Sequence, residues 1–142
     1  MEREIRFRGI NEFTGDFSFG FLTTDVYNHK RYIETVKGTT LYSESVKPKT
    51  IGQFTGLKDK KGVDIYEGDI LKYTLNNGEI RFYKIWAEKG GFVINQFQDD
   101  FYKEEKDIQF WSGLSDMQTA SWVDLSLEVI GNIHQNPELL KQ

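Results

Sequence analysis

Thr50-Ile51-Gly52-Gln53-Phe54-Thr55-Gly56-Leu57-Lys58-Asp59-Lys60-Lys61-Gly62-Val63-Asp64-Ile65-Tyr66-Glu67-Gly68-Asp69-Ile70-Leu71-Lys72-Tyr73 decides the reading of this chain. It reads as a short strand, a charged turn and a glycine-led strand. Ile51, Phe54 and Leu57 are the first apolar anchors, and Val63, Ile65 and Tyr66 re-enter the apolar layer. Between them, Lys58-Asp59-Lys60-Lys61-Gly62 is expected to stay in water because it is polar throughout, and Gly62 can take a left-handed turn conformation. Glu67-Gly68-Asp69 then bends the chain into a strand that starts at Ile70. The pattern specifies a small β-rich domain. No reaction follows from it.

Downstream, Leu75-Asn76-Asn77-Gly78-Glu79-Ile80 contains Asn-Gly, the preferred pair for a two-residue type I′ hairpin. That turn would set Leu75 opposite Ile80, Tyr73 opposite Phe82, Thr74 opposite Arg81 and Lys72 opposite Tyr83, with one face apolar. Ile85-Trp86, a turn over 87–91 and Phe92-Val93-Ile94-Asn95 complete a three-stranded antiparallel meander over 70–94. Residues 99–105 read as a short helix or charged loop, 112–120 as a polar surface loop, and 121–129 as a strand anchored by Trp122 and Leu125. At the end, Asn136 caps a helical turn, Pro137 takes its first position, Glu138 suits the dipole, and Leu139 and Leu140 dock it.

Upstream, residues 3–8 alternate, with Ile5 and Phe7 on one face and Arg6 and Arg8 on the other, which predicts a half-buried strand. Phe17, Phe19 and Phe21 alternate in a second strand, paired with the first across a loop. This stripe is expected in the core. An exposed base-stacking platform is the alternative, disfavoured because no lysine flanks it. Residues 27–33 fit a strand or a loop, 36–42 a turn and a short strand, and 43–49 a connector.

A length of 142 residues suits one domain, 1–142, able to bury roughly 70% of its unfolded surface. With Cys 0 there is neither a disulfide framework nor a thiolate metal site. No apolar run approaches the ~20 residues of a membrane span, and the first residues lack the apolar stretch of a signal peptide. The net charge of −4 argues against a general phosphate-backbone binder. Phe 11, Tyr 7 and Trp 3 favour strands.

Chemistry-bearing groups are sparse. His29 and His134 would need carboxylates to complete a metal site. Asp59, Asp64, Glu67 and Asp69 could hold a cation or act as an acid/base pair, but in turns such groups normally face water or accept turn amides. Gly52 and Gly56 lack the Gly-Lys-Ser/Thr ending of a phosphate loop. The basic clusters, Arg3, Arg6 and Arg8 with Lys58, Lys60 and Lys61, are interrupted by acids and read as solvated edges.

Residues 51–70 nevertheless resemble the YopX family of phage-encoded proteins, whose form is Ile-Gly-Gln-Tyr/Phe-Thr-Gly-Leu-Lys-Asp-Lys-Xaa-Gly-Xaa-Xaa-Ile-Tyr-Glu-Gly-Asp-Ile. Residues 3–8 resemble its N-terminal strand. Val129-Ile130-Gly131-Asn132-Ile133-His134-Gln135-Asn136-Pro137-Glu138-Leu139-Leu140 resembles its C-terminal signature. Gly9-Ile10-Asn11 departs from the Ala-Trp-Asp type sequence usual there. The resemblance implies a β-rich fold and a bacterial or prophage origin. The family carries no established activity, so no catalytic, cofactor-binding or metal-ligating residue transfers, and no cofactor is expected.

Together these readings give a mainly β fold: a small partly open barrel with antiparallel hairpins and a short C-terminal helical turn. The expected function is that of a cytoplasmic phage or prophage accessory protein in a bacterial host. It would be a non-enzymatic protein-interaction module with a host or phage protein as partner, or a homo-oligomer, and no membrane. A nucleic-acid-binding small β-barrel is the first alternative. An enzyme with an unrecognised carboxylate site is the second.

Overall fold

The computed structural model describes residues 4–88, 91–97, 111–113 and 117–141. The chain divides into two compact units, Met1–Gly56 and Leu57–Gln142. Both are antiparallel β structures, and α1 (Met117–Ser126) is the one α-helix among the described residues.

The N-terminal unit holds β1 (Phe7–Ile10), β2 (Phe17–Thr24), β3 (Arg31–Lys37), β4 (Thr40–Val46) and most of β5 (Gly52–Lys58), in the sheet order β4-β3-β2-β1-β5. Strand β1 starts later than the alternation over 3–8 suggests, because Phe7 is the first residue to pair with β2. β2 serves two partners. Its first half pairs β1, from Phe7↔Gly20 to Ile10↔Phe17, and its second half pairs β3, from Phe21↔Glu34 to Thr24↔Arg31. The hinge between the halves is Gly20, at φ 155, where a Cβ would lie 2.1 Å from the Glu34 carbonyl oxygen. No other residue fits that bend. The bend curls the meander until β1 and β4 meet at the single bridge Asn11↔Val46, flanked by Glu12 N–H donating to Ser45 O (3.0 Å) and Lys47 N–H donating to Ile10 O (2.9 Å). The result is a partly open barrel. Residues 43–46, expected as connector, belong to β4. Alternate small hydroxyl residues there suit the pleat although they carry little apolar signal.

In the C-terminal unit β5 ends, a turn follows, and β6 (Asp64–Tyr66) leads into a sheet of order β10-β9-β8-β7-β11. Its strands are β7 (Asp69–Thr74), β8 (Ile80–Glu88), β9 (Gly91–Gln96), β10 (Trp111–Gly113) and β11 (Leu127–Asn132). The meander over 70–94 is present, but its register differs by one residue. Thr74 opposes Ile80, Tyr73 opposes Arg81, Lys72 opposes Phe82 and Leu71 opposes Tyr83. The turn is not type I′: Asn77 does not take positive φ, whereas Gly78 does, at 88. Leu75 N–H donates to Glu79 O (2.8 Å) and Gly78 N–H to Leu75 O (2.9 Å), the pattern of a three-residue loop closed by a left-handed glycine. The extra loop residue places Leu71, Tyr73, Tyr83 and Ile85 toward the core and turns Ile80 outward.

The core of this unit is Ile65, Leu71, Tyr83, Ile85, Ile94, Val123 and Leu127, with Leu57, Tyr73, Phe92, Trp122 and Val129 packed against it. Trp122 stands edge-on to Tyr73 and Tyr83, with centroids 5.5 and 5.2 Å away. Two expectations fail nearby. Residues 112–113 are strand and 117–120 helix where a polar loop was expected over 112–120, the helix runs on to Ser126 where strand was expected from 121, and Leu125 is exposed while Val123 and Leu127 join Trp122 as anchors. Strand begins only at Leu127, after the helix. The reading of 99–105 lies outside the described residues. The C-terminal turn is the short 3-10 helix Pro137–Lys141. Asn136 turns its side chain back, accepting the Asn132 N–H at 3.2 Å, and only Leu139 of the two leucines is partly buried.

Candidate functional site

Three carboxylates of the central stretch, Asp59, Asp64 and Asp69, hold backbone amides or a lysine. Asp59, in a segment expected to face water, is 2% exposed. Its Oδ1 accepts the N–H groups of Lys61 (2.8 Å) and Val63 (2.9 Å), and its Oδ2 accepts Val129 N–H at 2.9 Å. Lys60 N–H adds a bond to Leu127 O (2.9 Å), so this turn stitches the β5–β6 connection to β11. Three amide donors make such a site suitable for a carboxylate out of water. Asp69, also buried, accepts Tyr66 N–H at 2.8 Å across the Glu67-Gly68 bend. Asp64 pairs with Lys58 at 2.7 Å. Among the described residues no group of His, Asp and Glu side chains could hold a metal ion. His29 lies in an exposed turn of the N-terminal unit at φ 59, and His134 in the C-terminal unit, where its N–H donates to Asn132 Oδ1 at 3.0 Å.

Four of the six basic groups singled out by sequence, Arg6, Arg8, Lys58 and Lys61, are used internally. Lys61 pairs with Glu128 at 2.7 Å, which raises the lysine pKa and lowers that of the glutamate. Arg6 pairs with Glu4 at 3.0 Å and lies 4.3 Å over the Phe54 ring, and Arg8 lies 4.3 Å over the Phe17 ring. Lys60 is exposed, and Arg3 is outside the described residues. The N-terminal barrel also buries a polar cluster that sequence reasoning missed. Glu44 accepts from the Ser18 hydroxyl and from Asn11 Nδ2 (3.2 Å), and forms an ion pair with Lys37 at 3.6 Å. The Ser18 hydroxyl, above all, holds its carboxyl below the usual range; partial burial works the other way, and Asn11 and Lys37 add to the lowering.

The N-terminal unit also presents apolar side chains on its surface. Phe19 (47%), Phe21 (63%), Val36 (64%) and Leu41 (62%) are exposed, against the expectation of a phenylalanine core. Phe19 and Phe21 are alternate residues of β2. Val36 pairs directly with Leu41, and Phe21 pairs with Glu34, two residues before Val36 on β3. Alternation along the strands therefore places all four on the outer side of the curl. The inner side is taken by Ile33, Val46 and the Glu44 cluster, with Ile33 pairing both Leu22 and Glu44. The period-2 rule identified the stripe but not which side of the strand the barrel would enclose. The Val36-to-Leu41 alternation about Gly38-Thr39 was the signal available for the rest of the face.

Comparison with known proteins agrees with this architecture. The family model described as "YopX protein" matches residues 7–141. Among solved structures, the chain is similar to protein EF1440 from Enterococcus faecalis, with 26% sequence identity over 98% of this chain and 99% of that one and a TM-score of 0.55. No curated protein matches the chain.

Proposed function

The chain belongs to the YopX family, and we propose that it is a non-enzymatic phage or prophage accessory protein, working in the bacterial cytoplasm by binding another protein. One observation carries this reading: Phe19, Phe21, Val36 and Leu41 stand exposed together on the outer face of the N-terminal barrel. Grouped apolar side chains on a folded surface mark interaction sites more than scattered single ones do. Their burial against a partner would supply roughly 25 cal/mol for each Å² removed from water. The carboxylates favour the same reading over an enzyme, because Asp59 and Asp69 accept backbone amides and Asp64 is ion-paired. The partner is a host or phage protein presenting an apolar strip. A second copy of this chain is the competing occupant.

Affinity capture from a bacterial lysate, with and without nuclease, tests the proposal. The parent protein is expected to retain a protein set that survives nuclease and is lost with Phe21→Thr combined with Leu41→Thr. Capture unchanged in that variant, or abolished by nuclease, would count against it. Sedimentation of the purified chain separates the second copy from a foreign partner.

A further inference from the structure

The β3–β4 register joins two short basic runs that are far apart in sequence. Thr24 pairs with Arg31, and Arg31 with Val46, so Lys30-Arg31 and Lys47-Pro48-Lys49 meet at one end of the N-terminal barrel. Lys30, Lys47 and Lys49 are exposed and Arg31 is half-buried. Among the described residues, none of the four is held in an ion pair. Three acidic residues share this end, Asp16 being placed there by its carbonyl, which accepts the N–H of Asn11, the residue bridged to Val46. Asp25 Oδ1 accepts the N–H groups of Tyr27 (2.8 Å) and Asn28 (3.4 Å), and Glu12 Oε2 accepts the Ser45 hydroxyl at 2.8 Å. Four cations against Glu12, Asp16 and Asp25 leave this end net positive in a chain of net charge −4.

The loop that leads into Lys30 is tightly built. Asp25 N–H donates to Lys30 O and His29 N–H to Asp25 O, each at 2.9 Å, and Lys30 N–H donates to Asn28 Oδ1 at 2.8 Å. Yet this loop leaves Tyr27 94% exposed. The ring gains the unit almost nothing by burial, while the backbone around it is fixed. A fixed loop presenting a bare aromatic ring beside uncommitted cations has the two components of a single-strand platform: a stacking face and a positive track.

We propose that this end of the N-terminal barrel binds single-stranded nucleic acid, with phosphates on Lys30, Arg31, Lys47 and Lys49 and a base stacked on Tyr27. A single strand is selected over a duplex for two reasons. Stacking on Tyr27 needs an unpaired base, and four cations fall short of the ~6–10 phosphate contacts of a strong duplex binder. Stacking accepts any base, so little sequence preference is built in. This surface is separate from the outer apolar face and does not depend on the protein-partner reading.

The test is fluorescence anisotropy of the full chain with a labelled thymidine oligonucleotide and a duplex of the same length, across a salt series. The single strand is expected to bind about ten-fold tighter than the duplex, with affinity falling against salt at a log–log slope of roughly −3. Tyr27→Ala should weaken binding about ten-fold and Tyr27→Phe, which keeps the ring, should not. Lys47→Ser with Lys49→Ser should weaken it at least about ten-fold, whereas Lys60→Glu, the same change in net charge elsewhere, should stay within about three-fold. Equal affinity for duplex, no binding at low salt, or equal loss with Lys60→Glu would overturn the proposal. Binding of polyglutamate in place of the oligonucleotide would also overturn it, and would make the surface one for an acidic protein.

Discussion

The two units use their apolar residues in opposite ways. In the C-terminal unit, Ile65, Leu71, Ile85, Val123 and Leu127 are almost wholly buried, and the aromatics Tyr73, Tyr83 and Trp122 close over them. The N-terminal barrel encloses Ile33 and Val46 together with Ser18 and the Glu44 carboxylate, and leaves Phe19, Phe21, Val36 and Leu41 outside. The N-terminal curl bends at Gly20, where only glycine fits. The difference teaches that hydrophobicity alone does not place a strand face. Curvature decides which side is interior, and the other side is free for contact with other molecules.

Substitutions can break or sharpen this contrast. The largest effect is expected from Leu71→Ala in the C-terminal core, about 2–5 kcal/mol of lost stability, read as a lower denaturant midpoint. Asp59→Ala should follow at about 2–4 kcal/mol, because three partly buried amides lose their acceptor. Rapid hydrogen exchange at Lys61, Val63 and Val129 in that variant would trace the loss to the stitch itself. Gly78→Val should cost about 1–3 kcal/mol, since a β-branched residue is strained at φ 88. An unchanged midpoint would mean that the loop rearranges freely.

Acid probes the N-terminal barrel. The folded pKa of Glu44 lies below its unfolded value, so its contribution to stability is fully present above that unfolded value, near 4.5. The contribution is lost as pH falls through the folded pKa. Glu44→Gln should therefore be less stable than the parent at neutral pH, with the gap closing on acidification. Midpoints collected down to about pH 3 would show the convergence, and a constant gap would contradict it.

Local rules made much of the fold legible. The β5–β6–β7 stretch was readable because turn glycines and alternating anchors agree, and Gly62 and Gly68 do take positive φ. The Asn77-Gly78 turn was located correctly, but its register slipped, because Asn-Gly also serves a three-residue loop and only the buried set of β7 and β8 decides between them. The helix Met117–Ser126 was missed because its sequence carries little amphipathic pattern, so that Ser115 and Asp116 before it read as polar loop and not as a helix start. Asp59 looked like solvent-facing turn chemistry, since its acceptor role for Val129 N–H depends on a residue seventy positions away. The outer apolar face and the convergence of Lys30, Arg31, Lys47 and Lys49 depend on barrel curvature and strand register, neither of which the local pattern encodes.

The smallest expected effect is the most telling. Phe21→Thr with Leu41→Thr removes two large apolar groups while keeping residues that suit strands. If the outer face serves contact and not folding, equilibrium denaturation of this double variant should match the parent within about 1 kcal/mol. A loss of several kcal/mol, comparable to Leu71→Ala, would show that these side chains belong to a core and would contradict the account.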